Sequence, residues 1–296
     1  MSSLASVLLS GVLLGGIYSL VAIGLNLIFG VIRVVNFAQG EFVMLGMYAT
    51  FVAYSALHMD PYLAIVIVFP LLFVFGMLVQ RFILQRLQNE PMMQIFATFG
   101  LLMLLQNLVL AITGGQAISI RTPFSSLAIS VGPLQISVPR LIALVAVSLI
   151  ALFLQRALGH TMTGRAVRAV AQDRRAARLM GIDVERIYML TFGLGAGLAG
   201  VAGALLTPIF TLSPQIGGNF ILAAFAVVVL GGLGSVAGAY IGGFLIGITE
   251  ALAGFYIDPS LKQAVWFAIF IAVLVLRPTG LFGLAGAEEV GLRVQE

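Results

Sequence analysis

No grouping in this chain supports bond-making chemistry. His58 and His160 stand alone, cysteine is absent, and no two acids pair at catalytic spacing within an apolar run. Neither H-E-x-x-H nor G-x-S-x-G occurs, so neither a zinc-held water nor an activated serine is expected, and the chain is not read as an enzyme. A G-x-G-x-x-G match falls at Gly195, Gly197 and Gly200. It lies inside an apolar run with no strand before it and no acid at the ribose-reading position, which excludes a dinucleotide site. No G-x-x-x-x-G-K-[ST] loop is present to cradle nucleotide phosphates. What remains is charge: the stretch from Arg156 to Arg186 holds seven arginines and three acids, while the runs flanking it hold almost none.

The core of that stretch, "GRAVRAVAQDRRAARLMGI" (Gly164 to Ile182), reads as an amphipathic helix. Val167, Val170, Ala177 and Met180 recur at helical spacing, while Arg165, Arg168, Gln172 and Arg175 follow another face. One face can dock and the other stay wet, which suits a surface that receives force from a soluble partner. Gly181 is placed to end the helix, and Asp183 to cap the next one. A solvated loop obeying charge bias, or one binding anionic membrane lipid, would explain the arginines and explains the apolar stripe less well.

The elements that carry this loop are membrane helices. Hydrophobic residues make up 61% of the chain and charged residues 9%, and several apolar stretches approach the ~20 residues that a spanning helix needs. These runs are continuous rather than alternating, which excludes a transmembrane barrel. The expected fold is all-α: a polytopic bundle of eight or nine helices forming a single domain over 1–296, with 156–186 as its cytoplasmic loop. The first run lacks a basic leader and is read as a retained helix. Placing Arg81 and Arg86 inside sends Arg33, the loop, Arg277 and Arg293 inside too, twelve of the fifteen basic residues. Arg121, Arg140 and Lys262 fall outside, as does the amino terminus. A re-entrant segment near 31–42 would move the amino terminus without changing later loops.

Two places break this regularity. "TLSPQIGGN" precedes a run, 217–231, that is short for a crossing at ~1.5 Å per residue. It is read as a broken or re-entrant helix bordering a pathway, with simple tilting as the alternative. "LAISVGPLQISV" alternates around Gly132 and Pro133 like a small external hairpin. Polar side chains within apolar runs must face protein or water. They are Asn26, Asn36, Gln39, Glu41, Asn107, Asn219 and Glu250, of which Asn36, Gln39, Glu41, Asn219 and Glu250 are the candidates for a translocation path. Gly193, Gly197 and Gly200, and again Gly234, Gly238 and Gly242, offer smooth helix-packing surface. Trp266 reads as an interfacial anchor.

"RAARLMG" (Arg175 to Gly181) resembles the EAA-xxx-G cytoplasmic signature of ABC importer permeases, with Arg175 where that pattern has glutamate. "NFAQGEFVMLGMY" (Asn36 to Tyr48), Ala171 to Leu205, "VVLGGLGSVAGAYIGG" (Val228 to Gly243) and "RPTGLFG" (Arg277 to Gly283) resemble, in order, the LivH-type permeases of branched-chain amino acid ABC importers. That resemblance implies a bacterial inner-membrane subunit working with a second homologous permease, two cytoplasmic ATPases and a periplasmic binding protein. ATP and Mg are then expected in the ATPases, with no cofactor on this chain; no metal site or nucleic-acid partner is expected. It also implies a coupling helix over roughly Thr163 to Met180. Gly164, Arg165, Arg168, Val170, Asp173, Arg175, Ala177, Met180 and Gly181 are its expected ATPase-coupling residues. The same family pattern extends to permeases for urea and short amides. Two other classes compete: a secondary carrier driven by an ion gradient, for which Glu250 is the strong relay candidate, and a membrane scaffold or channel.

Overall fold

The first apolar run becomes the helix around which the others gather. The computed structural model describes residues 2–88, 90–120, 122, 127–131, 134–277 and 279–283. Helix α1 (Ser2–Ile32) and helix α8 (Val184–Leu206) are its interior pair, each 83% buried over its most apolar stretch. Around them stand α2 (Gln39–Leu57), α3 (Ile65–Phe82), α4 (Pro91–Thr113), α5 (Val138–His160), α9 (Ile216–Gly231), α10 (Val236–Tyr256) and α11 (Lys262–Leu276). Two short helices, α6 (Met162–Gln172) and α7 (Arg174–Leu179), join α5 to α8. Among the described residues, seven helices are long and apolar enough to cross a membrane, and α9 and α11 are shorter apolar ones. The expected all-α polytopic bundle is therefore the fold observed.

On the periphery, α4 and α5 are each only 22% buried over their apolar stretch. Val66, Phe96, Leu104 and Phe153 are all more than 60% exposed. Such a surface would aggregate in water, whereas against lipid tails it is simply the wall of a bundle. Lipid offers no hydrophobic drive between helices, so the interior depends on close backbone approach. Glycine provides it: a Cβ on Gly15 would lie 2.7 Å from the Phe244 Cα of α10, and one on Gly203 would lie 2.3 Å from the Val43 carbonyl of α2. Gly193 and Gly197 admit Phe73, Met77 and Phe69 of α3, and Gly200 admits Leu72. Gly238 and Gly242 fit against Gly231 of α9. Gly234 is not part of that helical row: with φ +83 it turns the chain before α10 begins.

Segment 33–38 is the first break. Arg33 (φ 61) ends α1, and an irregular, largely buried stretch follows before α2. Its backbone finds partners on α4, where the Thr98 hydroxyl donates to the Val35 carbonyl at 3.2 Å and accepts from the Phe37 amide. Irregular backbone is tolerated in lipid only when protein satisfies it in this way. The Gln39 side chain then donates through Nε2 to the Gly195 carbonyl at 3.1 Å, and Gly195 is the central residue of α8. Helix α2 thus starts inside the bundle, with Gly217 of α9 packed on its Gly40.

The second break is the α9–α10 turn, and a side chain holds it. Asn26 donates to the Gly232 and Ser235 carbonyls and accepts from the Gly234 amide. At the end of α5 away from α6, Ala128–Val131 pairs antiparallel with Leu134–Ser137, the small hairpin expected from the sequence; its turn residues Gly132 and Pro133 lie outside the described residues, as do Arg121 and Arg293. One expectation is corrected. Trp266 is buried at 3% exposure and stacks on Phe267, so it is packing rather than an interfacial anchor. Asn107 is exposed, and its side-chain amide donates to the Met103 carbonyl of its own helix.

Candidate functional site

Three regions collect the polar chemistry, and the first is the helix pair α6–α7. The continuous helix expected over Thr163–Met180 is in fact bent at Asp173. Its carboxylate accepts from the Arg175 and Ala176 amides and caps α7 while α6 ends. Those amides, chiefly Ala176 and then Arg175, hold the Asp173 carboxyl below its ordinary pKa. An aspartate whose side chain competes for amides favours this break over helix continuation. Gly181 (φ 81) closes α7: its amide reaches the Arg178 carbonyl and the Ile182 amide the Ala177 carbonyl, the paired bonds of a Schellman end. Asp183 caps α8 through the Arg186 amide.

The pair is fastened inward and presented outward. Val167, Val170 and Ala177 are buried in the bundle core, so that stripe docks on the protein's own helices. Met180 leaves the stripe, since the bend at Asp173 and the Gly181 turn carry it outward to 81% exposure. Met162 and Leu179 are 76% and 89% exposed, and Arg165, Arg168, Arg174, Arg175 and Arg178 are exposed beside them. Gly164 makes the tight corner with α5, since a Cβ there would lie 2.4 Å from the Ala157 carbonyl oxygen. Arg33 at the end of α1 donates to the Ala171 carbonyl, and Arg178 pairs with Glu185 at the start of α8. The α6–α7 pair is therefore in direct contact with α5, α1 and α8. Beside Arg33, Arg174 and Arg175 lies a cleft of about 370 Å³ on the same end.

The second region surrounds the start of α2. Asn36 and Gln39 are fully buried: Asn36 donates to the Gln39 side chain and accepts from the Ala38 amide, while Gln39 holds α8. Their polar atoms are occupied in shaping the helix start. Glu41 is 2% exposed, and its Oε2 has no hydrogen-bond partner among the described residues. It sits in the first turn of α2, where the helix dipole favours negative charge. An apolar cleft of about 320 Å³ lies nearby between Phe37, Phe29, Phe225 and Leu233.

The third region is a cavity of about 480 Å³ at the opposite end from the arginine loop, and it brings Asn219 and Glu250 together. Lys262 Nζ lies 3.3 Å from Glu250 Oε1, and the Tyr18 hydroxyl donates to Oε2 at 2.8 Å. Sequence reasoning missed Tyr18 and Arg140 as lining residues; only a map of charge at the outer helix ends would have suggested the latter.

This arrangement can be set beside known proteins. A family model described as "Branched-chain amino acid transport system / permease component" matches residues 7–274. The chain belongs to this permease family. The permease is 33% identical over 300 residues to the high-affinity branched-chain amino acid transport system permease protein LivH of Escherichia coli, covering 95% of this chain and 96% of the relative. It is 31% identical over 297 residues to the corresponding permease protein BraD of Pseudomonas aeruginosa, covering 96% and 97%. A probable branched-chain amino acid transport permease of Methanocaldococcus jannaschii is 31% identical over 289 residues, covering 90% and 88%. No solved structure matches the permease. It is thus a multi-pass membrane component of a transport system.

Proposed function

We propose that this permease is one membrane subunit of an ATP-driven importer in a bacterial inner membrane, carrying branched-chain or related amino acids from a periplasmic binding protein to the cytoplasm. Its companions are a second homologous permease, forming the other half of the path, and two cytoplasmic ATPases that bind ATP and Mg. One observation carries the reading: α6–α7 is locked inward by Val167, Val170 and Ala177 while Met162, Leu179 and Met180 project among arginines. Apolar knobs ringed by charge suit a groove on a soluble protein better than a lipid headgroup layer.

Force delivered there travels by contact. Gly164 couples it to α5, Arg33 to α1 and Arg178 to α8. The glycine seams along α1, α8 and α10 let these helices shift against neighbours between discrete packings, which is what alternating access requires. Its relatives' names and an apolar interior with a few polar groups support an aliphatic amino acid as cargo. The final choice among amino acids, urea and short amides falls to the binding protein.

A gradient-driven carrier is the weaker reading, because both oxygens of Glu250 are already engaged by Lys262 and Tyr18. Reconstitution separates the two. Proteoliposomes holding both permeases, the ATPases and the binding protein take up leucine only with internal ATP, and uptake survives collapse of proton and sodium gradients. Accumulation by this chain alone under an ion gradient would refute the proposal.

A further inference from the structure

The coupling surface makes no use of the outer cavity, and its lining is chemically two-ended. At about 480 Å³ it falls inside the ~300–1,000 Å³ range of clefts that enclose small molecules. Arg140 and Lys262, two of the three basic residues placed outside by charge bias, both line it. Glu250 forms the acidic end. Its side chain is 7% exposed, and of its two partners Tyr18 is anchored on α1, while Lys262 is a flexible chain whose side chain is 45% exposed. An ammonium that can swing away leaves a place for another ammonium. At the basic end, no described carboxylate pairs with Arg140. The Asn219 amide adds a further polar group to the wall, and Leu14, Phe210 and Phe220 supply apolar lining.

We propose that this cavity receives a neutral aliphatic amino acid as its zwitterion, with Arg140 taking the carboxylate and Glu250 taking the ammonium as Lys262 withdraws. Arg140, Lys262 and Glu250 leave a surplus of one positive charge, which disfavours a simple amine. A simple acid is drawn to Arg140 but leaves Lys262 held on Glu250. A zwitterion places its own ammonium on Glu250 and frees Lys262 to join Arg140 at the carboxylate, so both ends are used and the total is unchanged. Guanidinium suits a carboxylate through two parallel bonds, and the aromatic wall accepts a branched side chain. This assignment rests on the importer reading for its cargo, but it stands or falls on a separate measurement.

The native chain has no cysteine, so a single reporter can be placed in the wall. In the assembled transporter carrying Ala251→Cys, and independently in one carrying Gln263→Cys, millimolar leucine slows maleimide labelling at least fivefold. Equal concentrations of 3-methylbutylamine and 4-methylpentanoate slow it less than twofold. Adding Arg140→Gln or Glu250→Gln to either reporter abolishes protection by leucine. The proposal is overturned if leucine protects neither reporter, if the amine or the acid protects as well as leucine, or if protection survives both substitutions. Loss of ATP-driven uptake in unmodified transporter would instead sink the importer reading, and leaves the labelling result to be judged alone.

Discussion

Adding one methyl group at Gly164 should uncouple the permease without unfolding it. A Cβ added at Gly164 would lie 2.4 Å from the Ala157 carbonyl oxygen and 2.5 Å from that of Leu158, whereas such contacts are essentially never shorter than 3.0 Å. The corner must therefore open by at least 0.6 Å (3.0 − 2.4). Both obstacles are backbone at the end of α5, so no side chain can yield instead. The shift is carried along α6, whose eleven residues extend ~16 Å at ~1.5 Å each. Overpacking of this kind costs about 1–3 kcal/mol, equivalent to about 5–150-fold in an equilibrium between coupled and uncoupled seats. The control is Gly159→Ala, five residues earlier, where an added Cβ meets nothing within 4 Å and gains up to ~1 kcal/mol of helix propensity. The assay is leucine delivered per ATP hydrolysed in proteoliposomes, together with ATPase copurification. Gly164→Ala lowers the ratio at least fivefold while the bundle keeps its thermal midpoint within a few degrees; Gly159→Ala leaves both unchanged. Equal ratios for the two variants would refute the idea that this corner transmits force.

Asn26→Leu removes three hydrogen bonds, one buried and two part-buried, from the α9–α10 turn and should destabilise the permease by about 2–4 kcal/mol, read as a lower midpoint of thermal unfolding in detergent; an unchanged midpoint would mean that the turn holds itself. Asp173 has a depressed pKa in the fold, so its cap stabilises the α6–α7 bend above the pKa of an unfolded aspartate and is lost as pH falls through the folded value. Hydrogen exchange over 174–179 should accordingly accelerate, beyond the intrinsic rate, between neutral pH and pH below the aspartate range, and Asp173→Ala should abolish that dependence. Arg174→Cys in the cysteine-free chain should be labelled from the cytoplasmic side only and Gln263→Cys from outside only; the reverse pattern would invert the topology.

Helix number was legible because it depends on run length, a local property of the sequence. The hairpin, the Gly181 stop and the Asp183 cap were legible for the same reason. Met180 was misplaced because helical spacing assumes an unbroken helix, and Asp173 within "AQDRR" breaks it by capping a second one. The roles of Asn26 and Thr98 were not legible. Each satisfies backbone more than sixty positions away, and nothing near either residue in sequence marks that partner. Glu250 stood out as a lone acid, but its pairing with Tyr18 and Lys262 depends on α1, α10 and α11 meeting. The glycines were recognised as packing surface without their partners, since a row of small residues states that something comes close and not what.

The central claim is that the exposed tips of α6–α7 seat in an ATPase, and protection of those tips tests it most directly. Leu179→Cys and Met180→Cys place reporters at positions 89% and 81% exposed in the permease alone. In the assembled, transport-competent complex, both should resist a soluble maleimide at least tenfold more than in the isolated permease and should cross-link to the ATPase subunit through a short bifunctional reagent. Labelling at the same rate in both states, with full ATP-driven uptake retained after modification, would contradict the account.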